Sequence, residues 1–343
     1  SRREDWPETI ERFIGFIISE RPDIPEKTVS KIRKYMTEFA VMPSMRFLWA
    51  AGDAAKKDNT CIYNCSFAKI NSVDAFAECL YILMCGTGFG FSVENEEIEK
   101  LPVIPEIQSG QALAKILIDD SKQGWADSVK TLMNSLYDGQ NVYFDYSAIR
   151  LEGARLMTMG GRASGPQPLI KLHDFIRETM HNAQGRQLTT LECHDICNQI
   201  AEIVVVGGVR RSSQISLSDL QDKDMRHAKD WPYPIKRAMA NNSAVYREKP
   251  SAADFLKEWG SLALSGTGER GIFNLEAAQS KAPSRRYAPL IQGTNPCGEI
   301  MLRDMQFCNL SEVVMREGDD LDSLLDKVET ATWLGVIQSS FTD

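Results

Sequence analysis

The chain has 343 residues, 43% hydrophobic and 25% charged, with a formal net charge of −8. That length can bury a large core in one big domain or two ordinary ones, and the acidic balance argues against nucleic acid or an anionic membrane as the main partner, because both attract basic surfaces. No apolar run reaches the roughly 20 residues of a membrane helix and SRREDWPE carries no signal-peptide pattern, so a cytoplasmic location is expected, where eight cysteines are too sparse for a disulfide framework and four histidines argue against a histidine-rich metal site.

From Trp6 to about Phe39 the apolar residues recur at helical spacing, as Ile10, Phe13, Ile14 and Ile17, then Val29, Ile32 and Tyr35. A small helical region is expected over residues 1–55, with an α/β domain over 56–343. Pro43 breaks helix in MPSMRFLWAAG and sets Ser44 at a turn. Cys61 and Cys65 stand four apart, a conceivable metal half-site, but zinc is not expected there and no metal site is assigned. A helix over about Val73–Cys85 runs into GTGFGFSVE, where Gly86, Gly88 and Gly90 alternate ahead of a predicted strand. The Rossmann fingerprint needs the opposite order, strand before glycines before helix, so these glycines imply instead that backbone passes close to something bulky.

Lys115–Tyr137 predicts another amphipathic helix, and NVYFDYS a strand. In MGGRASGPQPL the glycines and prolines prevent regular structure, and Arg162 adds a charge able to meet phosphate. Helices are predicted over about Leu169–Ala183 and Leu191–Ile203, the second carrying Cys193, His194 and Cys197 as packing residues. GGVRRSSQISL follows, and the guanidinium groups of Arg210 and Arg211 beside backbone N–H groups suit phosphate or base recognition. Asp219–Trp231 is charged and reads as peripheral, Ala240–Tyr246 predicts a strand, Ala252–Ser265 a helix, and GERGIFN a turn into a strand. Short apolar strands alternating with amphipathic helices argue for a parallel α/β arrangement.

The chemically dense stretch is NPCGEIMLRDMQFC, Asn295 to Cys308. Asn295, Cys297 and Glu299 occupy alternate positions, and in an extended strand or taut loop alternate side chains share one face. Pro296 stiffens the backbone and Gly298 removes bulk beside the sulfur. Glu299 supplies a base, and Asn295 both a donor and an acceptor.

At these residues the chain resembles a known family, the ribonucleotide reductases, and in particular the adenosylcobalamin-dependent class II enzymes. GTNPCGEI with a later FCNL is similar to the family pattern of Asn, any residue, Cys, any residue, Glu, then a further Cys. The likeness extends through MPSMRFLWAAG, YNCSFAKI, GTGFGFSVE, MGGRASGPQPL, GGVRRSSQISLSDL, ANNSAVY and GERGIFN. It implies a ten-stranded α/β barrel of two five-stranded halves, of which this chain carries the first half and the central loop. It also implies reduction of ribonucleotides to 2′-deoxyribonucleotides for DNA synthesis, with adenosylcobalamin as radical source.

In that resemblance Cys297 is the thiyl residue, Glu299 accepts the 3′-hydroxyl proton and Asn295 holds the ribose hydroxyls. Cys65 and Cys308 deliver the reducing equivalents and finish as a disulfide, which requires Cα atoms within about 7 Å. Substrate contacts are implied at Ser44, Asn64, Gly88, Gly90, Asn242 and Ser243. Effector-nucleotide contacts are implied at Asn71, Ser72, Arg162, Arg210 and Arg211, although many relatives have Asp where Asn71 stands. The implied partners are a ribonucleotide, a deoxynucleoside triphosphate effector, a thioredoxin-like reductant and a companion chain completing the barrel. No long insertion is visible between Val93 and Tyr143, which leaves a homodimer as the way to build the effector pocket. Two alternatives stand beside this reading. A class I large subunit is disfavoured by Pro296, where class I chains have Leu, and a non-catalytic nucleotide-binding module by the joint presence of Cys65, Asn295, Cys297, Glu299 and Cys308.

Overall fold

The computed structural model describes residues 3–108, 115–156, 161–206 and 213–341. They form two compact units, Ser1–Asn64 with Phe307–Asp343, and Cys65–Gln306. In the first unit, helix Trp6–Glu20 opens on a capping box in which Asp5 and Glu8 each accept the other's backbone N–H. Such reciprocal capping satisfies two N–H groups that the first turn cannot. Its buried stripe is Ile10, Phe13, Ile14, Phe16 and Ile17, and helix Glu26–Thr37 adds Val29, Ile32 and Met36. Helix Leu321–Ser339 belongs to the same unit: Asp326 accepts from Lys31 Nζ and the Tyr35 hydroxyl, and Gln338 Nε2 donates to the Ile62 carbonyl at 2.8 Å. Val41–Pro43 pairs antiparallel with Ser311–Val313. The helical front of the chain is thus packed with residues from its far end.

The second unit is built on five parallel strands in chain order, β1 Cys65–Lys69, β2 Gly88–Ser92, β3 Gln214–Asp219, β4 Ala240–Tyr246 and β5 Gly271–Asn274. Parallel neighbours need long crossovers, and helices supply them. Helix α1, Val73–Met84, joins β1 to β2, while α2 Lys122–Tyr137, α3 Gln167–Asn182 and α4 Thr190–Val206 lie between β2 and β3, and α5 Ala252–Ser265 lies between β4 and β5. This is the α/β alternation read from the sequence. One boundary differs: the helix expected from Lys115 begins at Lys122, because Ser121 caps it through Gly124 N–H, and Ile116–Leu117 is a short strand beside Phe144–Asp145.

Strand register sorts the sheet into two faces, since aligned residues of parallel strands point the same way. Cys65, Gly88 and, one row on, Phe67, Gly90, Ile215 and Asn241 share the first face. Phe89, Gln214 and Ala240, then Phe91, Ser216 and Asn242, share the second. Helices cover that second face: Gln214 Nε2 donates to the Cys197 carbonyl of α4 at 3.2 Å, and the His194 ring of α4 lies 6.1 Å from that of Phe91. Among the described residues, no helix is long and apolar enough to cross a membrane, and no group of three or more His, Cys, Asp or Glu is arranged to hold a metal.

Candidate active site

The stretch expected to be extended is a hairpin. Strand β6, Gly293–Thr294, pairs antiparallel with β7, Met301–Leu302, and residues 295–300 form the tip. Gly298 N–H donates to the Asn295 carbonyl at 2.9 Å, closing a turn with Pro296 at its second position. Proline's fixed φ suits that position, and Gly298 takes φ +86°, a region glycine enters without steric cost. The alternation of side chains is therefore replaced by a turn. Asn295 is fully buried at its base, while Cys297 and Glu299 are exposed at its tip.

Asn295 organises the tip. Its Oδ1 accepts from Ile300 N–H at 3.0 Å and from the Thr294 hydroxyl at 3.3 Å, and its own N–H donates to the Ile300 carbonyl at 3.2 Å. Those bonds fix which end of the carboxamide is oxygen. The Nδ2 group is left buried with no hydrogen-bond partner among the described residues. A buried amide donor without an acceptor costs on the order of 1–3 kcal/mol, a cost that a ligand oxygen would remove.

The hairpin sits on the first face of the sheet, and three glycines make that approach possible. A Cβ on Gly90 would lie 2.2 Å from the Thr294 carbonyl oxygen, and one on Gly293 would lie 2.1 Å from the Phe67 ring. A Cβ on Gly88 would lie 3.0 Å from Cys65 Sγ and 3.2 Å from Pro296 Cγ. The bulky neighbour inferred from the glycine run is thus the hairpin. Gly88 also brings the Cys65 sulfur and the ring preceding Cys297 to either side of one bare Cα, so β1, β2 and the hairpin tip converge at the N-terminal rim of the sheet.

The remaining sequence candidates divide clearly. Ser243 faces the hairpin side, where its Oγ would lie 2.7 Å from a Cβ on Gly271. Asn242 points the other way: its Nδ2 donates to the Met225 carbonyl at 2.6 Å, so alternation along β4 removes it from the hairpin face. Asn71 Nδ2 donates to Glu97 Oε2 at 3.1 Å, and Ser72 is the N-cap of α1. Burial would raise the Glu97 pKa, but the bonds from Lys100, Lys69 and Asn71 hold it below its ordinary value. Both effector candidates thus have structural tasks.

Arg162 is exposed beside the bridge Arg155–Arg162, and its guanidinium donates to the Gly153 carbonyl at 2.9 Å. Arg210 and Arg211 lie outside the described residues. In the first unit, Ser44 is a buried helix cap that accepts from Phe47 N–H at 3.1 Å, Asn64 has a buried Oδ1 without a partner among the described residues, and Cys308 is a buried residue ending strand Gln306–Cys308. The sequence reading missed Asn241, the exposed residue of β4 that does share the hairpin face. Counting alternation from Ser243 would have found it.

A family model described as "B12-dependent ribonucleotide reductase, insertion domain" matches residues 106–180, which corrects the expectation that no long insertion lies between Val93 and Tyr143. The adenosylcobalamin-dependent ribonucleoside-triphosphate reductase of Levilactobacillus brevis is 29% identical over 91% of this chain and 51% of its own length. The protein of that name from Lactobacillus gasseri is 28% identical over 94% of this chain and 54% of its own. The chain therefore spans about half the length of these relatives. A crystal structure of a B12-dependent, class II ribonucleotide reductase superposes with a TM-score of 0.82 at 23% identity, covering 99% of this chain and 56% of that one. That likeness is one of fold. Motifs, family model and architecture agree that the chain resembles the adenosylcobalamin-dependent, class II ribonucleotide reductases along nearly its whole length.

Proposed function

We propose that this chain carries the catalytic hairpin of a ribonucleotide reductase that converts ribonucleoside triphosphates to 2′-deoxyribonucleotides, its five parallel strands being half of a ten-stranded barrel completed by further polypeptide. The carrying observation is the hairpin tip, with Cys297 and Glu299 exposed above a buried Asn295 amide that lacks an acceptor. The triphosphate follows from the names of the relatives.

Replacing a ribose 2′-hydroxyl by hydrogen is hard for ionic chemistry, because hydroxide leaves poorly from an unactivated carbon; a radical at the neighbouring 3′ carbon eases its departure as water. Asn295 Nδ2 binds a ribose hydroxyl, relieving its own missing hydrogen bond and orienting the sugar. The Cys297 sulfur radical takes the 3′ hydrogen while the Glu299 carboxylate accepts the 3′-hydroxyl proton. Cys65 and Cys308 together give two hydrogens, one leaving with the 2′-hydroxyl as water and one replacing it, and finish as a disulfide. Cys297 then returns its hydrogen to the 3′ carbon and Glu299 its proton. A thioredoxin-like partner would restore the dithiol.

Adenosylcobalamin would supply the radical chemistry that removes the thiol hydrogen of Cys297. The site fits such a group, since Cys297 is exposed on a tip whose neighbour Gly298 has no side chain to block a large planar ligand. Arg162, exposed on its loop, is proposed as a contact for the effector phosphates, and a second copy of the chain as the partner that completes that pocket.

Turnover tests this function. The completed enzyme with adenosylcobalamin and a dithiol should reduce ribonucleoside triphosphates, and Cys297→Ser should lower kcat by about a thousandfold or more. Unchanged turnover in that variant would refute the assignment.

A further inference from the structure

Between Asn241 and Ser243 the strand β4 presents two polar side chains to the hairpin face, and Asn241 is the exposed one. It pairs in register with Ile215, which pairs with Gly90, the residue on which the Thr294 carbonyl of the hairpin rests. Two interstrand spacings of about 4.8 Å put Asn241 on the order of 10 Å across the sheet from Gly90, the reach of a nucleoside from its ribose to the far edge of its base. Between them lies Ile215, whose Cγ2 would be 3.2 Å from a Cβ on Gly90 and which gives the sheet an apolar floor there. Among the described residues no hydrogen bond occupies the Asn241 carboxamide. An apolar side chain, Ile215, beside one unengaged group that both donates and accepts is the pairing that a base-binding surface uses.

We propose that Asn241 is a specificity-determining residue that hydrogen-bonds the base of the bound ribonucleotide while the sugar lies at the hairpin tip. This rests on the functional reading above. Its carboxamide can turn to offer a donor and an acceptor side by side, matching the paired groups on the Watson–Crick edge of each base. Asn241→Ala removes that contact for every base but not the stacking on Ile215, so the loss depends on how much each base relied on it. Asn241→Asp leaves acceptors only, and guanine alone presents two adjacent donors, N1–H and the N2 amino group.

The test is equilibrium binding of the four ribonucleoside triphosphates to the completed enzyme, alongside competition between them for turnover, in wild type and both variants. Asn241→Ala should weaken binding of at least one base by roughly tenfold and change the order of preference. Asn241→Asp should move guanine to the top of that order. Because Asn241 is exposed, both variants should retain the wild-type melting temperature. A wild-type enzyme that binds the nucleotides, with both variants keeping its order of preference, overturns the assignment of Asn241 and leaves the functional reading intact. A wild-type enzyme that binds none of the four overturns both.

Discussion

The two faces of the five parallel strands are made by the same strands and differ in how far their polar groups are exposed. On the helix-covered face, Asn242 bonds the Met225 carbonyl, and Arg270, just ahead of β5, meets Glu258 of α5 at 3.0 Å, Ser218 Oγ at 3.1 Å and the Asp219 carbonyl. Glu258 is closed off by a second partner, Arg226, at 2.7 Å. On the hairpin face, Asn295 Nδ2 has no acceptor among the described residues, while Cys297, Glu299 and Asn241 are exposed. The helix-covered face buries its polar groups, most of them in contacts that hold the fold, although Asn242 Oδ1, Arg270 Nε, Gln214 Oε1 and Ser216 Oγ lack partners among the described residues, whereas the hairpin face exposes Cys297, Glu299 and Asn241. Substitutions on the first should therefore change stability, and on the second chemistry.

The largest effect expected on either face is that of Cys297→Ser, which removes the reactive sulfur yet touches an exposed tip. Its stability should stay within about 0.5 kcal/mol of wild type, so a chemical denaturation curve that moves substantially would show that the sulfur also holds the structure. Arg270→Met should do the opposite. Arg270 and Glu258 are both almost fully buried, and burial outweighs the attraction of Glu258 in holding the Arg270 pKa below its ordinary value. Removing one member of such a network leaves the other charge and the Asp219 carbonyl poorly satisfied, at a cost of roughly 3–5 kcal/mol. Denaturant titration measures it; a loss under about 1 kcal/mol would mean that the network is not what fastens α5 to the sheet.

Gly90→Ala lies where the two behaviours meet. Its methyl group would sit 2.2 Å from the Thr294 carbonyl oxygen, against backbone that cannot rotate away. Overpacking of this kind costs about 1–3 kcal/mol, and because the hairpin must lift to relieve it, turnover should fall along with stability. A variant as stable as wild type but inactive would place the damage at the chemistry; one fully active would show that the hairpin does not need this seat.

Much of the scaffold was legible in the sequence. Ala252–Ser265 is a helix with the predicted ends because Ser251 caps it and Gly266, at φ +68°, ends it, and Ala240–Tyr246 is a strand throughout. Local punctuation carries that information. The direction of side chains was less accessible, since it depends on register: Asn242 and Ser243 are neighbours in sequence and lie on opposite faces. At Asn295–Gly298 two local rules competed, alternation and the turn-forming N-P-x-G pattern, and the turn prevailed because Asn295 and Ile300 satisfy each other's backbone across it. The Arg270–Glu258–Arg226 network could not be read at all, as its members meet only once β3, β5 and α5 have packed.

The effect expected to be smallest at neutral pH concerns His194 on the helix-covered face, whose two ring nitrogens, like Asn198 Oδ1, Gln214 Oε1 and Ser216 Oγ, have no partners among the described residues. Burial pushes its pKa down to about 3, and burial does the same to His173, also to about 3, although that ring is bonded to Ser128 Oγ and the Tyr146 hydroxyl. In the unfolded chain both titrate near the ordinary value of 6.5. Between those values the unfolded state takes up protons that the native state refuses, so each histidine lowers stability by about 1.4 kcal/mol per unit as pH falls from 6.5 toward 3, and neither contributes slope above 6.5. His194→Phe removes one of these two contributions and replaces two unsatisfied nitrogens by carbon next to Phe91. At pH 7 the variant should be as stable as wild type or more so, and between pH 6 and 4 its stability should fall less steeply by about 1.4 kcal/mol per unit. An unchanged slope would mean that His194 takes up its proton in the native fold, and that this face is not as closed as its packing indicates.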